Sequence, residues 1–182
     1  MNPTITQQLQ SMKLRMEETI IPEINEDAKF AREQAAFIVM TLDWLMQTHE
    51  HQYRYEVVEN TEYRGLVSRM LAVSDDLAND KALRAQVQYV LREAGPAPQE
   101  AVIRLSDLTG QNRRLKQLTA QIFNALCQRS TSDADAARAL LGEVSINQGN
   151  RELAFFKGTG FTNTSDDLGQ LLGETAEATT QT

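Results

Sequence analysis

The chain holds two histidines, and both fall in the stretch Thr48-His49-Glu50-His51-Gln52-Tyr53-Arg54-Tyr55. Imidazoles this close invite two chemistries, metal ligation and proton transfer. Ligation requires the rings to converge. Residues two apart on a helix point about 200° away from each other, so His49 and His51 diverge while the helix persists. A zinc-protease pair needs histidines four apart with a glutamate after the first. A carboxylate-bridged di-iron bundle needs a glutamate three residues before each histidine. Neither spacing is present, and no metal is expected. The plainer role for each histidine is to end an apolar seam near a helix C-terminus, where positive charge is favourable. The other is acid–base work in a pocket between helices, lined by His49, His51, Tyr53 and Asp43 or Glu50. Asp43 and Glu50, seven apart on one face, read first as solvated charges.

A second cluster is basic. Arg104, Arg113, Arg114, Lys116 and Arg129 stand against Asp107 alone, a local charge of +4 over residues 101–129. Arg113, Arg114 and Lys116 are a candidate anion site. Neighbouring arginines on a helix diverge by about 100°, and no aromatic is interleaved to stack on bases. An exposed face paired with the chain's own acids is the simpler expectation. Gly158-Thr159-Gly160 lacks the third glycine of a dinucleotide loop. No phosphate-loop lysine motif, Gly-x-Ser-x-Gly or Cys-x-x-Cys occurs. Cys127, beside the Ile122/Leu126 seam, reads as a small, partly buried hydrophobe. No catalytic residue and no cofactor are expected.

Composition sets the class. The 182 residues are 41% hydrophobic and 24% charged, with a formal net charge of −7. An acidic chain lacks the positive field that nucleic acid or an anionic membrane surface requires. No apolar run reaches the roughly 20 residues that span a bilayer. Residues 1–11 lack the charged-then-apolar pattern of a signal peptide, and one cysteine cannot close an internal disulfide. A cytoplasmic globular protein is expected.

Apolar residues recur at helical spacing almost throughout. Thr4 and Gln7 form a capping box ahead of the stripe Ile5, Leu9, Met12, Met16 and Ile20. Pro22 must kink or stop this helix. A second helix, roughly Asp27 to Tyr53, carries two seams: Ala31, Ala35, Ile38, Leu42, Leu45 and His49, and, in steps of seven, Phe30, Phe37, Trp44 and His51. Two adjoining stripes imply neighbours on two sides, so this helix is expected at the centre of a bundle. A polar break follows at Glu59–Thr61, then a third helix through Tyr63, Leu66, Met70 and Leu77. Ser74 or Asp80 caps a fourth. Gly95, Pro96 and Pro98 stop it and mark the clearest internal boundary. Gln99 to Arg129 reads as one long helix bent at Gly110. Ser132 and Asp135 form a capping box for a short helix through Val144, which Gly142, Gly149 and Asn150 interrupt. After Gly158 the chain is Gly/Thr/Asp-rich with four acids and no base. Ser165 caps one short helix there through Leu172, and residues 175–182 read as disordered.

The fold expected is therefore all-α: a bundle of five to seven helices over residues 1–157, in sub-bundles 1–94 and 98–157, with a flexible acidic tail at 158–182. Two stretches, Met16-Glu17-Glu18-Thr19-Ile20-Ile21-Pro22-Glu23-Ile24 and Lys29-Phe30-Ala31-Arg32-Glu33-Gln34-Ala35-Ala36, together with Leu66 to Leu71, carry a resemblance. Over about residues 5–72 the chain resembles small, all-helical, uncharacterised bacterial proteins. Some of those occur alongside aminoglycoside-phosphotransferase-like kinases and acyl-CoA dehydrogenases. The resemblance implies a helical fold and an accessory role, and no catalytic residue. The leading expectation is a non-catalytic accessory or interaction protein. It would bind a protein partner, or pair as a homodimer, through Phe30, Phe37 and Trp44. The competing expectation is a small-molecule binding protein or enzyme with a pocket near His49, His51 and Tyr53.

Overall fold

Helix α1 (Ile5–Arg15) begins at the capping box that Thr4 and Gln7 encode. The Gln7 amide donates to Thr4 Oγ1 at 3.2 Å and the Thr4 amide to Gln7 Oε1 at 2.9 Å. Two amides with no helical acceptor are thereby satisfied. The computed structural model describes residues 2–95 and 103–173. The prolines of the expected boundary and the run from Thr175 lie outside the described residues.

Pro22 offers no amide hydrogen to the carbonyl of Glu18 and crowds it. The chain widens to accommodate this. Met16–Ile20 form a π-helical turn, and the Ile21 amide bonds Met16 O. Helix α2 (Ile21–Glu23) then ends at Ile24 in an extended conformation. Helix α3 (Lys29–Thr48) is shorter at both ends than its sequence pattern implies. A turn at residues 49–51 separates it from α4 (Gln52–Leu71).

Two compact units result, Met1–Gln52 with Arg151–Thr182, and Tyr53–Asn150. Gly95 lies inside the second unit rather than between the two. That unit contains α4, α5 (Asp75–Asn79), α6 (Lys81–Arg92), α7 (Leu105–Cys127) and most of α8 (Thr131–Phe155). Asp80 Oδ1 caps α6 by accepting from the Ala82 and Leu83 amides at 3.0 Å. Ser130, not Ser132, caps α8: its Oγ accepts from the Asp133 amide at 3.0 Å. Asp135 is instead engaged by Arg138.

The main buried cluster forms here. Leu66, Val67 and Met70 of α4 meet Leu115, Leu118, Ile122 and Leu126 of α7, with Val87, Val90 and Val144 completing it. Helix α3 contributes nothing to this cluster and buries only Ala35, Leu42 and Thr48. The axle of the second unit's core is α4 with α7, whereas α3 packs on α1 and the 3₁₀ turn Lys157–Thr159 within the first. Helix α3 is thus central to its own unit and not to one bundle of the whole chain. The expected break at Glu59–Thr61 is also helical. Glu59 and Asn60 are buried in α4, where polar side chains of α7 meet them. Gly110, Gly142 and Gly149 interrupt nothing. Each costs about 1 kcal/mol in a helix, and flanking buried residues such as Leu108, Leu115 and Val144 outweigh that. Cys127 is exposed at the end of α7, not tucked beside Leu126.

The chain re-enters the first unit at Arg151. After α8 come a 3₁₀ turn (Lys157–Thr159), Gly160 at φ +75°, and α9 (Leu168–Leu171). Asp167, rather than Ser165, caps α9 by accepting from the Gln170 amide at 2.9 Å. Leu168 and Leu172 are buried, so α9 is packed into its unit. Six described helices have eleven residues or more, and no strand occurs among the described residues. None of these helices is long and apolar enough to cross a membrane. The fold is all-α.

Candidate functional site

The stripe of sevens on α3 divides into a covered half and an open half. Trp44 is covered. Its indole Nε1–H donates to Phe155 O at 2.8 Å, its ring stacks on Phe156, and Phe155 meets it edge-on at 5.7 Å. The turn after α8 brings Gly158 close to the same residues. A Cβ there would lie 2.8 Å from Gln47 Oε1 and 3.5 Å from Trp44 Cδ1. One and two heptads earlier the stripe stands more open among the described residues. Phe37 is 50% exposed and Phe30 74%, with Ile38 beside them at 48%. Phe161, at 81%, is a further open aromatic of the same unit.

The polar residues expected to share a pocket have the following surroundings within their own units. Asp43 accepts from Lys13 Nζ at 2.7 Å, a contact that pins α1 against α3. That hydrogen bond, with the charge of Asp43, holds the Lys13 ammonium above its ordinary value. His49 Nε2 lies 3.0 Å from Thr6 Oγ1, again between α3 and α1. His51 lines a cleft of about 240 Å³ with Gln47, Thr48, Lys157, Asp166 and Asp167. Tyr53 belongs to the second unit, and its hydroxyl is buried with no hydrogen-bond partner among the described residues. Asp43 and His51 thus line different depressions, Asp43 a separate groove of about 480 Å³ and His51 this cleft. Asp167 in that cleft is already committed to capping α9. No three His, Cys, Asp or Glu side chains are placed to hold a metal among the described residues.

The basic residues of α7 are engaged by acids of their own unit. Lys116 Nζ lies 2.6 Å from Glu59 Oε1, whose side chain is 5% exposed, and sits over the Tyr63 ring. Arg114 pairs with Glu93. Arg113 lines a cleft of about 280 Å³ together with Glu56, Glu59 and Lys116, so acids and bases alternate there. An anion gains little from such a lining, because the carboxylates repel it as the cations attract it.

Behind that cleft lies a network the sequence did not announce. Asn60 Nδ2 donates to Asn112 Oδ1 at 2.7 Å and to Gln111 Oε1 at 3.3 Å, while Arg64 Nε donates to Asn60 Oδ1 at 2.7 Å. The Arg64 guanidinium also donates to Leu91 O and Glu93 O, carbonyls at the end of α6. Burial pushes Arg64 below its ordinary value, which the charge of Glu93 partly offsets. Asn112 reaches Glu56, and Gln111 reaches Ala94 O. The one available signal was spacing: Asn60 and Arg64, four apart, share a helix face. The network clamps α4, α7 and the exit of α6 and leaves its donors committed, so it is a structural device.

The open aromatic half of α3 is thus the feature whose chemistry the chain itself leaves unused. No protein-family model, no curated protein and no solved structure matches this chain.

Proposed function

We propose that this chain is a helical interaction module, a non-catalytic accessory protein whose docking surface is the aromatic face of α3. One observation carries the reading: Phe30 and Phe37 stand in solvent on the stripe whose far end, Trp44, is packed inside the unit. Aromatic side chains aligned along one helix are the anchors that dominate helix-face recognition. An enzyme reading needs His49, His51 and Tyr53 around one cavity; the cleft that His51 lines draws its other described walls from Gln47, Thr48 and the 154–169 region. A reducing cytoplasmic setting belongs to the same proposal, supported by the lone exposed thiol of Cys127. A bacterial accessory role, which the resemblance read in residues 5–72 implies, belongs to the same proposal.

Affinity capture with three tagged forms tests this: wild type, Phe30→Glu with Phe37→Glu, and Tyr89→Glu. Tyr89 is 70% exposed on α6, in the other unit. A stoichiometric partner, the chain itself included, should be held by wild type and Tyr89→Glu and lost from the double variant. Equal retention by all three, or no stoichiometric partner, overturns the reading.

A further inference from the structure

The α1–α3 hairpin has not completed its own core. Helix α1 buries none of its residues, and Ile5, Met12 and Ile20 are each about half exposed. Helix α3 adds Phe30, Phe37 and Ile38 to the open apolar surface. Two helices that leave apolar residues in water on both members lack the neighbours that such stripes require.

Such stripes call for a surface able to receive two phenylalanines.

The hairpin itself offers one. Beside the Phe30/Phe37 ridge runs a groove of about 480 Å³ lined by Ile21, Ala36, Val39 and Met40, with Glu17 and Asp43 at its rim. Phe37 and Met40 are three apart, so ridge and groove share a border on α3. Ala36 is small and Met40 adaptable, which suits the floor of a groove that receives a ring. Lys13 lies 2.7 Å from Asp43 and 3.8 Å from Glu17, which leaves the two-carboxylate rim one negative charge in excess, and Lys29, exposed just before the ridge, has the opposite sign. A surface carrying both ridge and matching groove is self-complementary. A two-fold axis would seat each copy's ridge in the other's groove and make four helices of two hairpins.

We propose that the occupant of this face is a second copy of the chain, paired through α1 and α3. This rests on reading the α3 face as the docking surface. Sedimentation equilibrium of the full chain at micromolar concentration tests it, with far-UV circular dichroism confirming the helices of each variant. Wild type and Tyr89→Glu should show twice the 20.4 kDa chain mass. Phe30→Glu with Phe37→Glu should weaken pairing about a hundredfold or more and sediment as a folded monomer. A wild-type monomer overturns the second-copy inference alone, since another protein would still find the face open. A monomer whose melting temperature falls in the double variant also overturns it, because the face is then covered within one chain. A dimer that the double variant leaves intact overturns both this inference and the reading beneath it.

Discussion

Trp44 stacks on Phe156 with ring centroids 5.5 Å apart and planes 17° from parallel. The contact joins the middle of the chain to the end of α8, a sequence separation that no local signal spans. It also decides the role of the only tryptophan. Trp44 was the natural anchor for a partner, yet its indole N–H and both faces of its neighbourhood are spent inside the unit. Phe30 and Phe37, on the same stripe, remain.

Trp44→Ala should therefore act on stability. Removing a half-buried indole with its hydrogen bond and two aromatic neighbours should cost about 2–3 kcal/mol in urea unfolding. Pairing of the fraction that stays folded should persist. Loss of pairing at unchanged stability would return Trp44 to the interface.

The buried network predicts a sharper penalty. Asn60→Leu keeps the volume but withdraws one acceptor from Arg64 and the donors that reach Gln111 and Asn112. Destabilisation of about 2–4 kcal/mol is expected, well beyond that of an apolar swap of similar size. A neutral Asn60→Leu would mean that the clamp between α4, α7 and the end of α6 is dispensable.

One ion pair gives a pH signature. Arg69 donates to Glu143 at 2.8 Å, and that bond, with the charge of Arg69, holds the Glu143 carboxyl below its ordinary value. A carboxylate lowered by folding stabilises at neutral pH. That contribution fades as pH falls from the ordinary carboxylate range through the lower folded value. Both side chains are about half exposed, so the effect is small and salt-sensitive. An NMR titration should place the Glu143 midpoint below that of the same residue in urea-unfolded chain. Equal midpoints would remove the pair from the account.

Local signals were read correctly where the chemistry is local. Thr4 with Gln7, Asp80 ahead of α6 and the disruption at Pro22 all involve groups within five residues of each other. Misreadings arose where a distant residue set the outcome. Glu59 and Asn60 look like a break until Lys116, Gln111 and Asn112 come to meet them across α7. The seams of α3 announce a central helix, but periodicity records where apolar residues lie and not whether anything covers them. Asp43, His49 and His51 are close in sequence but take their surroundings from Lys13, Thr6 and the 166–169 segment, none of them near in sequence. Capping serines two residues out of register, at Ser132 and Ser165, reflect how weakly a hydroxyl or carboxylate every other residue fixes a helix start.

The seating of Phe37 against a second chain can be measured by mixed cross-linking. In a Cys127→Ser background, protein carrying Phe37→Cys is mixed with protein carrying Met40→Cys and oxidised mildly. The ridge-in-groove arrangement predicts that the mixed disulfide dominates the covalent dimers. A yield no higher than that of a Tyr89→Cys control would contradict the pairing of these faces.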